Sequence, residues 1–383
     1  MLGQATQLAG QVFIQRMIGN SLKTKNFVYF ANTNNVVPMV SISTLNMSRF
    51  PRFSLLEGRT MIEPLNNLGA KLKNDLGGVR LFVKRDDHMS LGCGGNKLRK
   101  LEFILGEALA QGVQTIITVG GIQSNHARLT AAAAARAGIK CELVLNHRVR
   151  RDDTEYVHNG NLLLDSLFGA RILRPNNDEE PIDFAENRAK DLRKSGQIVY
   201  VCPLGGSTPL GSLGYALCAQ EIAEQSLEMG LEFTQVVLAN GSGGTHAGLA
   251  VGFAAMGRSP KEVKSYVVLD NHEKTLKRTL DVAQNTAKLL ELDKKFTEED
   301  IDIDDGHLGK GYGIPTEEML GAVRIMAQSE GLLLDPVYSG KAFAGLLQDI
   351  RDGKYVSGQN VLFLMTGGVP SLFAYRSAFD DQV

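Results

Sequence analysis

The sequence predicts an α/β fold built from two doubly wound parallel-sheet domains. The chain has 383 residues, which is enough for two domains at the usual size of about 150 residues each. Apolar runs of strand length alternate with stretches in which apolar residues recur at helical spacing, and glycines mark the turns between them. This repeated alternation is typical of parallel sheets covered by helices on both faces.

The strands can be placed in order along the chain. The predicted strands are Leu76–Asp87, Thr115–Gly121, Lys140–Asn146, a run within Ile198–Gly206, Val236–Ala239, one starting at Val267–Leu269, and a run from Val361 to the Gly367-Gly368 turn. Continuous apolar runs such as Thr115–Gly121 favour buried strands of a parallel sheet.

Helices are predicted between these strands. Ser124 and Asn125 are candidate N-caps for an alanine-rich helix that Gly138 closes. The polar stretch Asn285–Asp304 is predicted to be an exposed helix. Pro370 lies near the first position of the last helix, where proline is favoured.

The composition excludes several classes of protein. Apolar residues make up 43% of the chain and the formal net charge is −1, so the strong basic surplus of a nucleic-acid-binding protein is missing. No stretch approaches the ~20 apolar residues needed to cross a bilayer, so no membrane partner is expected. The four cysteines have neither CxxC spacing nor a histidine at zinc-site spacing, so neither a metal site nor a disulfide is expected.

Residues 1–56 differ from the rest of the chain. They contain no Asp or Glu, and the first acidic residue is Glu57. Basic residues scattered among hydroxyl, amide and apolar residues are typical of an organelle transit peptide. We therefore expect a mitochondrial location, with a plastid as the alternative. The other interpretation is an unstructured N-terminal extension without a targeting signal.

Lys97 lies where a glycine-rich turn, Gly94-Gly95, enters an amphipathic helix. A partly desolvated ammonium at the positive end of a helix loses its proton more easily. A neutral lysine is a nucleophile towards aldehydes. The alternative is an exposed lysine in a basic helix start, because Arg99 and Lys100 are close by.

A second glycine-rich loop, Asn240–Thr245, lies between an apolar strand and an apolar helix. Its N–H groups can converge on an anion, and the helix N-terminus adds partial positive charge. Ser242 and Thr245 can donate further hydrogen bonds. The loop lacks the GK[ST] of a nucleotide-binding P-loop and the acidic residue of a dinucleotide fingerprint. A small phosphate group is the predicted ligand, and a tight turn without a ligand is the alternative.

A lysine in a glycine-lined turn together with a separate phosphate loop suggests pyridoxal 5'-phosphate, whose aldehyde needs an amine and whose phosphate needs an anion site. The motifs GGNKLRKLE, GGIQSNHAR, GSGGTHAG, GYGIP, LDPVYSGK and TGGVPSLFAY occur between about Glu57 and the C-terminus. In this order they resemble the fold-type II pyridoxal-phosphate family of D-cysteine desulfhydrase and 1-aminocyclopropane-1-carboxylate (ACC) deaminase. The resemblance implies a tryptophan-synthase-β-like fold with the cofactor in the cleft between two domains.

The resemblance also implies a role for each site residue. Lys97 would bind the cofactor aldehyde and act in catalysis, and Asn125 would bond the phenolic oxygen of the cofactor. The implied phosphate-binding residues are Gly241, Ser242, Gly243, Gly244 and Thr245. The implied substrate-binding residues are Ser124, Asn125 and His126, and the other implied catalytic residues are Ser124, Tyr312 and Tyr338. Which tyrosine is the acid stays open.

Position 339 departs from the ACC deaminase pattern. ACC deaminases carry Glu after the tyrosine of DPVY, where its carboxylate pairs with the pyridine nitrogen, whereas this chain has Ser339. Thr366 stands where ACC deaminases have Leu. Ser339 and Thr366 are the expected partners of the ring, and a hydroxyl holds the proton of the nitrogen less firmly than a carboxylate does. Such a ring suffices when Cα carries an acidic proton and Cβ a good leaving group, as in the D-cysteine desulfhydrases.

The predicted reaction is therefore α,β-elimination of D-cysteine to pyruvate, ammonia and hydrogen sulfide. ACC deamination is the first alternative, and a non-catalytic, cofactor-binding regulatory protein is the second. The motif order predicts a large domain of residues 57–97 plus 207–383 and a small domain of residues 98–206. The resemblance also implies a small amino acid as substrate and a homodimer.

Overall fold

The computed structural model describes residues 12–17, 24–30, 41–176 and 178–380. Its strands are β1 (Val12–Met17), β2 (Thr24–Phe30), β3 (Ser41–Thr44), β4 (Ile62–Pro64), β5 (Arg80–Lys84), β6 (Thr115–Gly121), β7 (Lys140–Asn146), β8 (Arg171–Leu173), β9 (Val199–Cys202), β10 (Gln235–Asn240), β11 (Val263–Val267), β12 (Asp302–Asp304) and β13 (Asn360–Leu364). Its α-helices are α1 (Asn66–Lys71), α2 (Lys73–Leu76), α3 (Lys97–Ala110), α4 (Asn125–Ala137), α5 (Thr154–His158), α6 (Asn161–Leu167), α7 (Pro181–Lys194), α8 (Pro209–Glu228), α9 (Gly244–Ala255), α10 (His272–Leu289), α11 (Glu317–Glu330), α12 (Ser339–Arg351) and α13 (Pro370–Ala374).

Two sheets form the body of the molecule. The larger has the strand order β12-β11-β10-β13-β5-β4 and is parallel except for the β4–β5 pair. The smaller has the order β8-β7-β6-β9 and is parallel throughout. The predicted fold of two parallel-sheet domains is confirmed. All strands of the smaller sheet lie within residues 98–206, and the domain limits themselves stay a prediction.

The central strands are buried on both faces, which explains why most of their residues are apolar. Every residue of β13 and β11 is buried, and so is every residue of β6 except its terminal glycine. Helix α4 packs closely on the smaller sheet because its buried residues are largely alanines. Its caps confirm the sequence prediction: the Ser124 Oγ accepts a hydrogen bond from the Ala127 N–H at 3.2 Å, and Gly138 ends the helix at a φ of +71°.

Two predicted elements are wrong. The helix predicted over Asn285–Asp304 ends at Leu289, and Asp302–Asp304 form β12, an edge strand paired with β11. Its aspartates have partners from distant parts of the chain: Asp302 accepts from the Gln235 Nε2 at 3.1 Å, and Asp304 lies 3.6 Å from the Lys354 Nζ. The strand predicted to start at Val267–Leu269 instead ends at Val267. The earlier part of this strand contains Lys264, whose buried ammonium pairs with Asp349 at 2.6 Å. A charged residue within a buried strand interrupts the apolar pattern, so the start of the strand was missed.

Part of the segment 1–56 is described. Strands β1, β2 and β3 form a small antiparallel sheet. Further along, the chain lies against the body: the Phe53 N–H donates to the Glu102 backbone oxygen at 2.8 Å, and the Leu55 N–H donates to Glu102 Oε1 at 2.9 Å. Residues 1–11, 18–23 and 31–40 lie outside the described residues. The transit peptide stays a prediction.

Three findings concern the class of the protein. None of the described helices is both long and apolar enough to cross a membrane. Within the same residues, no group of three or more His, Cys, Asp and Glu side chains is placed to hold a metal ion. The four cysteines are free thiols.

Candidate active site

A cavity of about 240 Å³ lies at the carboxyl ends of the strands of both sheets. Loops after β6, β7 and β9 line it from the smaller sheet, and loops after β10, β11 and β13 line it from the larger. This edge is where open parallel sheets bind ligands. The predicted site residues on the lining are Lys97, Ser124, Asn125, His126, Gly241, Ser242, Gly243, Thr245, Tyr312, Tyr338 and Thr366. Gly244 and Ser339 lie outside the lining.

A glycine turn before α3 places Lys97 at the cavity. Gly94 has a φ of +66°, and a Cβ on it would lie 2.1 Å from the backbone oxygen of Asp87. Only glycine therefore fits at this position. Lys97 is the first residue of α3, and its Nζ donates a hydrogen bond to the Asn96 Oδ1 at 3.0 Å.

The surroundings of Lys97 favour its neutral form. Burial lowers the pKa of Lys97 to about 8. The carboxylate of Asp335 opposes this shift, and the nearby guanidinium of Arg128 lowers the pKa further. Because an ordinary lysine has a pKa of about 10.4, the neutral amine is far more abundant here near physiological pH. The amine can thus act as a nucleophile or a base.

The glycine loop leads from β10 into α9. Gly243 has a φ of +88°, and its N–H donates to the Asn240 Oδ1 at 3.1 Å, which fixes the turn. The Asn96 Nδ2 donates to the Thr245 Oγ1 at 3.1 Å, so the residue beside Lys97 contacts the loop directly. The lysine and the loop, far apart in the sequence, therefore border one cavity. A phosphorylated aldehyde can be held at both ends there.

Lys100 lies behind the glycine loop. Its Nζ donates to the Ser207 Oγ at 3.0 Å and to the Gly205 backbone oxygen at 3.2 Å. Ser207 also accepts from the Gly244 N–H at 3.2 Å, which leaves its own hydrogen for Ser242 Oγ at 2.7 Å. Lys100 therefore reaches the phosphate loop through one hydroxyl.

The sequence analysis missed Lys100 and Ser207. Lys100 is one helical turn from Lys97, on the same face of α3, and this spacing was the available signal. Burial lowers the pKa of Lys100 well below its usual value, and the charge of Lys97 lowers it further. Ser207 has no local signal, because its partners are distant in the sequence.

Ser124 and Asn125 stand at the N-terminus of α4, facing the cavity. The Ser124 Oγ already accepts from the Ala127 N–H, so its hydrogen is free to donate to a ligand. The Asn125 Oδ1 accepts from the Asn161 Nδ2 at 2.9 Å, so the side-chain amide of Asn125 presents its own Nδ2 as a donor. Both side chains can therefore bind an acceptor oxygen.

His126 is placed differently. Its Nε2 lies 2.9 Å from the Thr118 Oγ1, and that hydroxyl donates to the Cys202 backbone oxygen at 2.8 Å. The Nε2–H of His126 is therefore the donor to Thr118, and the Nδ1 is buried without a partner. Burial lowers the pKa of His126 well below its usual value, so the ring is neutral. Its role in binding the substrate carboxylate stays a prediction, and this ring has no free N–H for it.

Tyr312 and Tyr338 form a hydrogen-bonded pair in the cavity, with their hydroxyl oxygens 2.8 Å apart. Burial raises the pKa of both phenols, and the raised pKa of Tyr338 lies well above its usual value. Both therefore stay protonated at neutral pH. One hydroxyl hydrogen joins the two oxygens, and the other remains free to be donated.

Arg148 crosses the mouth of the cavity. It follows β7, and its Nη2 donates to the Asp270 Oδ1 at 3.0 Å, beyond the end of β11. Its guanidinium carbon lies 5.8 Å from the centre of the Tyr312 ring. Arg148 thus links the two sides of the cavity, a role that nothing in its local sequence indicates.

The hydroxyl of Ser339 is used within its own turn. It donates to the Asp335 Oδ1 at 2.6 Å and accepts from the Asp335 N–H at 2.8 Å. The predicted contact between Ser339 and the pyridine nitrogen stays a prediction, as does that of Thr366. Thr366 lines the cavity, and its backbone oxygen accepts from the Asn96 N–H at 3.0 Å.

The charges of the site fit a phosphorylated cofactor. Lys97, Lys100 and Arg128 are basic groups around the cavity, and burial lowers the pKa of each. The carboxylate of Asp335 opposes this shift for Lys97, and for Arg128 the opposing charges include those of Asp165 and Asp335. A phosphate group carries a charge of about −1.5 to −2 at pH 7, so it would supply the missing negative charge. The residues present therefore fit pyridoxal phosphate.

Comparison with known proteins defines the class. The model of the pyridoxal-phosphate dependent enzyme family matches residues 53–367, and the chain belongs to this family. It therefore depends on pyridoxal phosphate, as the charge and geometry of the cavity indicate. The family and the relatives that the chain matches support lyase chemistry.

The relatives divide between two named activities. The chain is 42% identical over 335 residues to a D-cysteine desulfhydrase of Klebsiella pneumoniae (strain 342), covering 88% of this chain and 99% of the relative. It is 40% identical over 341 residues to a 1-aminocyclopropane-1-carboxylate deaminase of Burkholderia vietnamiensis (strain G4 / LMG 22486), covering 88% and 100%. A crystal structure of an ACC deaminase homologue superimposes with a TM-score of 0.77 at 34% identity, covering 87% of this chain and 96% of the other.

Proposed function

We propose that the chain converts D-cysteine and water to pyruvate, ammonia and hydrogen sulfide. The observation that carries this proposal is the hydroxyl of Thr366 on the cavity, together with serine rather than glutamate after Tyr338. A hydroxyl beside the pyridine nitrogen leaves that nitrogen less firmly protonated than a carboxylate would. This is sufficient for a substrate with an acidic Cα hydrogen and a thiolate leaving group. The similarity to the Klebsiella D-cysteine desulfhydrase supports the proposal.

Residues from both sheets would hold the cofactor. Lys97 would bind its aldehyde, Asn125 its phenolic oxygen and the loop of residues 241–245 its phosphate. Lys100 contacts that loop through Ser207, and the negative charge of a bound phosphate would favour its protonated form. When bound, the cofactor supplies an electron-withdrawing ring that accepts the electron pair left on the substrate Cα.

Lys97 would then act as the base. Once the substrate amine has replaced it, the Nζ of Lys97 is free to take the Cα proton. Its pKa of about 8 suits this step, because the amine must be neutral to accept a proton and the ammonium must later release it. Arg128 and the buried surroundings keep the amine in this range.

The tyrosine pair would supply the proton for the leaving group. Because burial raises the pKa of both phenols, each is a donor at neutral pH and neither is a base. The free hydroxyl hydrogen of the pair would pass to the departing sulfur, and the hydrogen bond between Tyr312 and Tyr338 would stabilise the oxygen left behind.

Two donors would orient the substrate carboxylate. Ser124 has a hydroxyl hydrogen to donate, and the Nδ2 of Asn125 is a second donor at the same helix N-terminus. The positive end of the α4 dipole adds to their attraction for an anion. The carboxylate would thereby be fixed so that the Cα hydrogen points towards Lys97.

Sulfide release tests this proposal. The purified chain, supplied with pyridoxal phosphate, is incubated in parallel with D-cysteine, L-cysteine and ACC. Sulfide and pyruvate in equal amounts from D-cysteine, with little product from the other two, is the expected result. Dominant release of 2-oxobutanoate from ACC would refute it.

ACC deamination is the second candidate. Conversion of ACC and water to 2-oxobutanoate and ammonia is supported by the similarity to the Burkholderia deaminase over the whole of that protein. The intact Lys97, Ser124 and tyrosine pair would serve this reaction as well. The assay above separates the two, because each substrate gives a different oxo acid.

We also propose that the chain is directed to mitochondria and works as a homodimer. The acid-free composition of residues 1–56 supports the first proposal. The dimer rests on the family resemblance. Fluorescence microscopy of the tagged full-length chain and light scattering of the purified protein would test them.

A further inference from the structure

Arg128 is a fully buried cation in the second turn of α4. Its Nη2 donates to the Gly94 backbone oxygen at 2.8 Å, in the turn that leads into Lys97. Its Nε and Nη1 are buried without a hydrogen-bond partner. A buried guanidinium with two unpaired nitrogens is costly unless another group satisfies them.

Asp165 lies on α6, which packs against α4, and its charge acts on Arg128. It is completely buried, and both carboxylate oxygens lack a hydrogen-bond partner. Burial raises the pKa of Asp165 to about 8, and the charge of Arg128 opposes this shift. The two side chains attract each other, but no direct ion pair joins them. Water is the usual bridge between such buried groups, typically making about three hydrogen bonds.

The Lys97 turn is held on two sides. Arg128 binds the oxygen of Gly94 on one side, and on the other the Asn96 N–H donates to the Thr366 backbone oxygen at 3.0 Å. A Cβ on Gly95 would lie 3.1 Å from that same oxygen. The turn therefore has little freedom, and α4 supplies one of its attachments.

Arg128 also contributes to the electrostatics of Lys97. Its charge lowers the pKa of Lys97, whereas the charge of Asp335 raises it. Lys100 and His126 face Lys97 as well, and the charge of Lys97 lowers the pKa of each. Removing the charge of Arg128 would thus favour the protonated amine.

We propose that Arg128 is a positioning residue, which holds the turn that presents Lys97 and supplies a positive charge beside it, and that ordered water joins its free nitrogens to Asp165. The buried polar site beneath the turn is therefore hydrated. This inference rests on the proposed role of Lys97 in binding the cofactor aldehyde. Because α4 also carries Asn125 at its N-terminus, this one helix positions both Lys97 and the proposed donor to the cofactor.

Arg128→Met tests the inference. The readout is the rate at which pyridoxal phosphate attaches to Lys97 in the full chain after removal of the cofactor, followed by absorbance across a pH range. Loss of the charge moves the pH midpoint of this rate upward. The rate at pH 7 then falls about three- to tenfold, because a rise of one unit in the pKa lowers the fraction of neutral amine about tenfold. Arg128→Lys keeps the charge but not the reach to Gly94, so its midpoint stays at the wild-type value while its rate falls at every pH.

Arg136→Met is the matched control, because Arg136 is exposed in the last turn of the same helix. It should leave rate and midpoint unchanged. A wild-type midpoint in Arg128→Met, or a shifted one in Arg128→Lys, would overturn the inference. Should Arg128→Met not fold, the pH midpoint and rate of Arg128→Lys test the positioning role. A crystal structure of the wild type tests the bridging water. A gap without water between Arg128 and Asp165, or a direct ion pair between them, would contradict it. If pyridoxal phosphate does not attach to wild-type Lys97, the proposed function itself fails.

Discussion

At the scale of single residues, the proposed choice between the two activities depends on Ser339 and Thr366. Ser339 is almost completely buried, and its hydroxyl is bonded to Asp335 in both directions. Of these two residues, only Thr366 lines the cavity. A neutral side chain at both positions suits elimination of thiolate, which needs a weaker electron sink than opening a ring that lacks a Cα hydrogen.

The double substitution Ser339→Glu with Thr366→Leu is predicted to shift activity towards ACC. A carboxylate at position 339 would hold the proton on the ring nitrogen and strengthen the electron sink. We expect the ratio of 2-oxobutanoate from ACC to sulfide from D-cysteine to rise about tenfold or more, measured with both substrates. Ser339→Ala with Thr366→Leu is the control, since it removes the hydroxyls without adding charge. An unchanged ratio in the glutamate variant would contradict this account of the ring.

The sequence revealed the residues that belong to local motifs. Lys97 follows a glycine pair, and Thr245 ends a glycine loop, so the role of each can be predicted from a few neighbouring residues. Lys100 is equally close to the site but is preceded by Arg99, which made it resemble part of an exposed basic helix start. Whether Lys100 is buried decides whether it belongs to the site or to an exposed helix start. Its burial depends on contacts such as that with Ser207, which comes from a distant part of the chain.

Helix α9 carries His246 directly behind the phosphate loop. His246 is completely buried, and its Nδ1 lies 2.7 Å from the Ser265 Oγ. Burial lowers the pKa of His246 to about 3, so the folded protein holds the ring neutral. The unfolded chain takes up a proton below about pH 6.5. The stability that His246 contributes is therefore lost as pH falls from about 6.5 towards 3.

His246→Gln is predicted to reduce the acid sensitivity of folding. Between pH 7 and pH 5 the wild type should lose about 2 kcal/mol more of its free energy of unfolding than the variant, because glutamine does not titrate. Urea unfolding at both pH values measures this difference. Exposed His158→Gln is the control and should behave as the wild type. Equal losses in wild type and His246→Gln would show that the ring protonates in the folded state.

The stretch before β4 is predicted to belong to the folded body. Glu102 is buried and binds Arg52 Nε at 2.8 Å, besides the N–H groups of Leu55 and Leu56. A chain beginning at Gly58 lacks these partners and should lose about 3–5 kcal/mol of stability, the usual cost of leaving a buried charge unpaired. A chain beginning at Thr44 keeps them and serves as the control. Equal urea midpoints for the two chains would refute this prediction.

Elements were predictable where their pattern was simple. Strand β6 is a nearly continuous apolar run, β7 is an apolar run broken only by Glu142, and α4 has a cap at each end. Strand β12 was not predictable, because Asp302 and Asp304 end a polar stretch that indicates an exposed helix, and only their pairing with β11 makes them a strand. Lys264 concealed the start of β11 in the same way, since its ion pair with Asp349 comes from a helix far along the chain.

At the scale of the whole molecule, the site exists only because the two sheets meet. Loops of the two sheets are joined by Ser207, after β9, with Ser242, after β10, and by Arg148, after β7, with Asp270, after β11. Asn96 with Thr245 and Lys100 with Ser207 add contacts between residues more than 100 positions apart. The sequence could predict that a lysine and a phosphate loop would share a cofactor, but not which side chains would join the two halves.

The central claim is that Lys97 carries the cofactor. Borohydride reduction of the purified protein, followed by proteolysis and mass spectrometry, locates the lysine to which pyridoxal phosphate is attached. The account predicts a single modified peptide containing a pyridoxyl group on Lys97. A pyridoxyl group on Lys100 or another lysine, or an unmodified protein after loading with the cofactor, would contradict it.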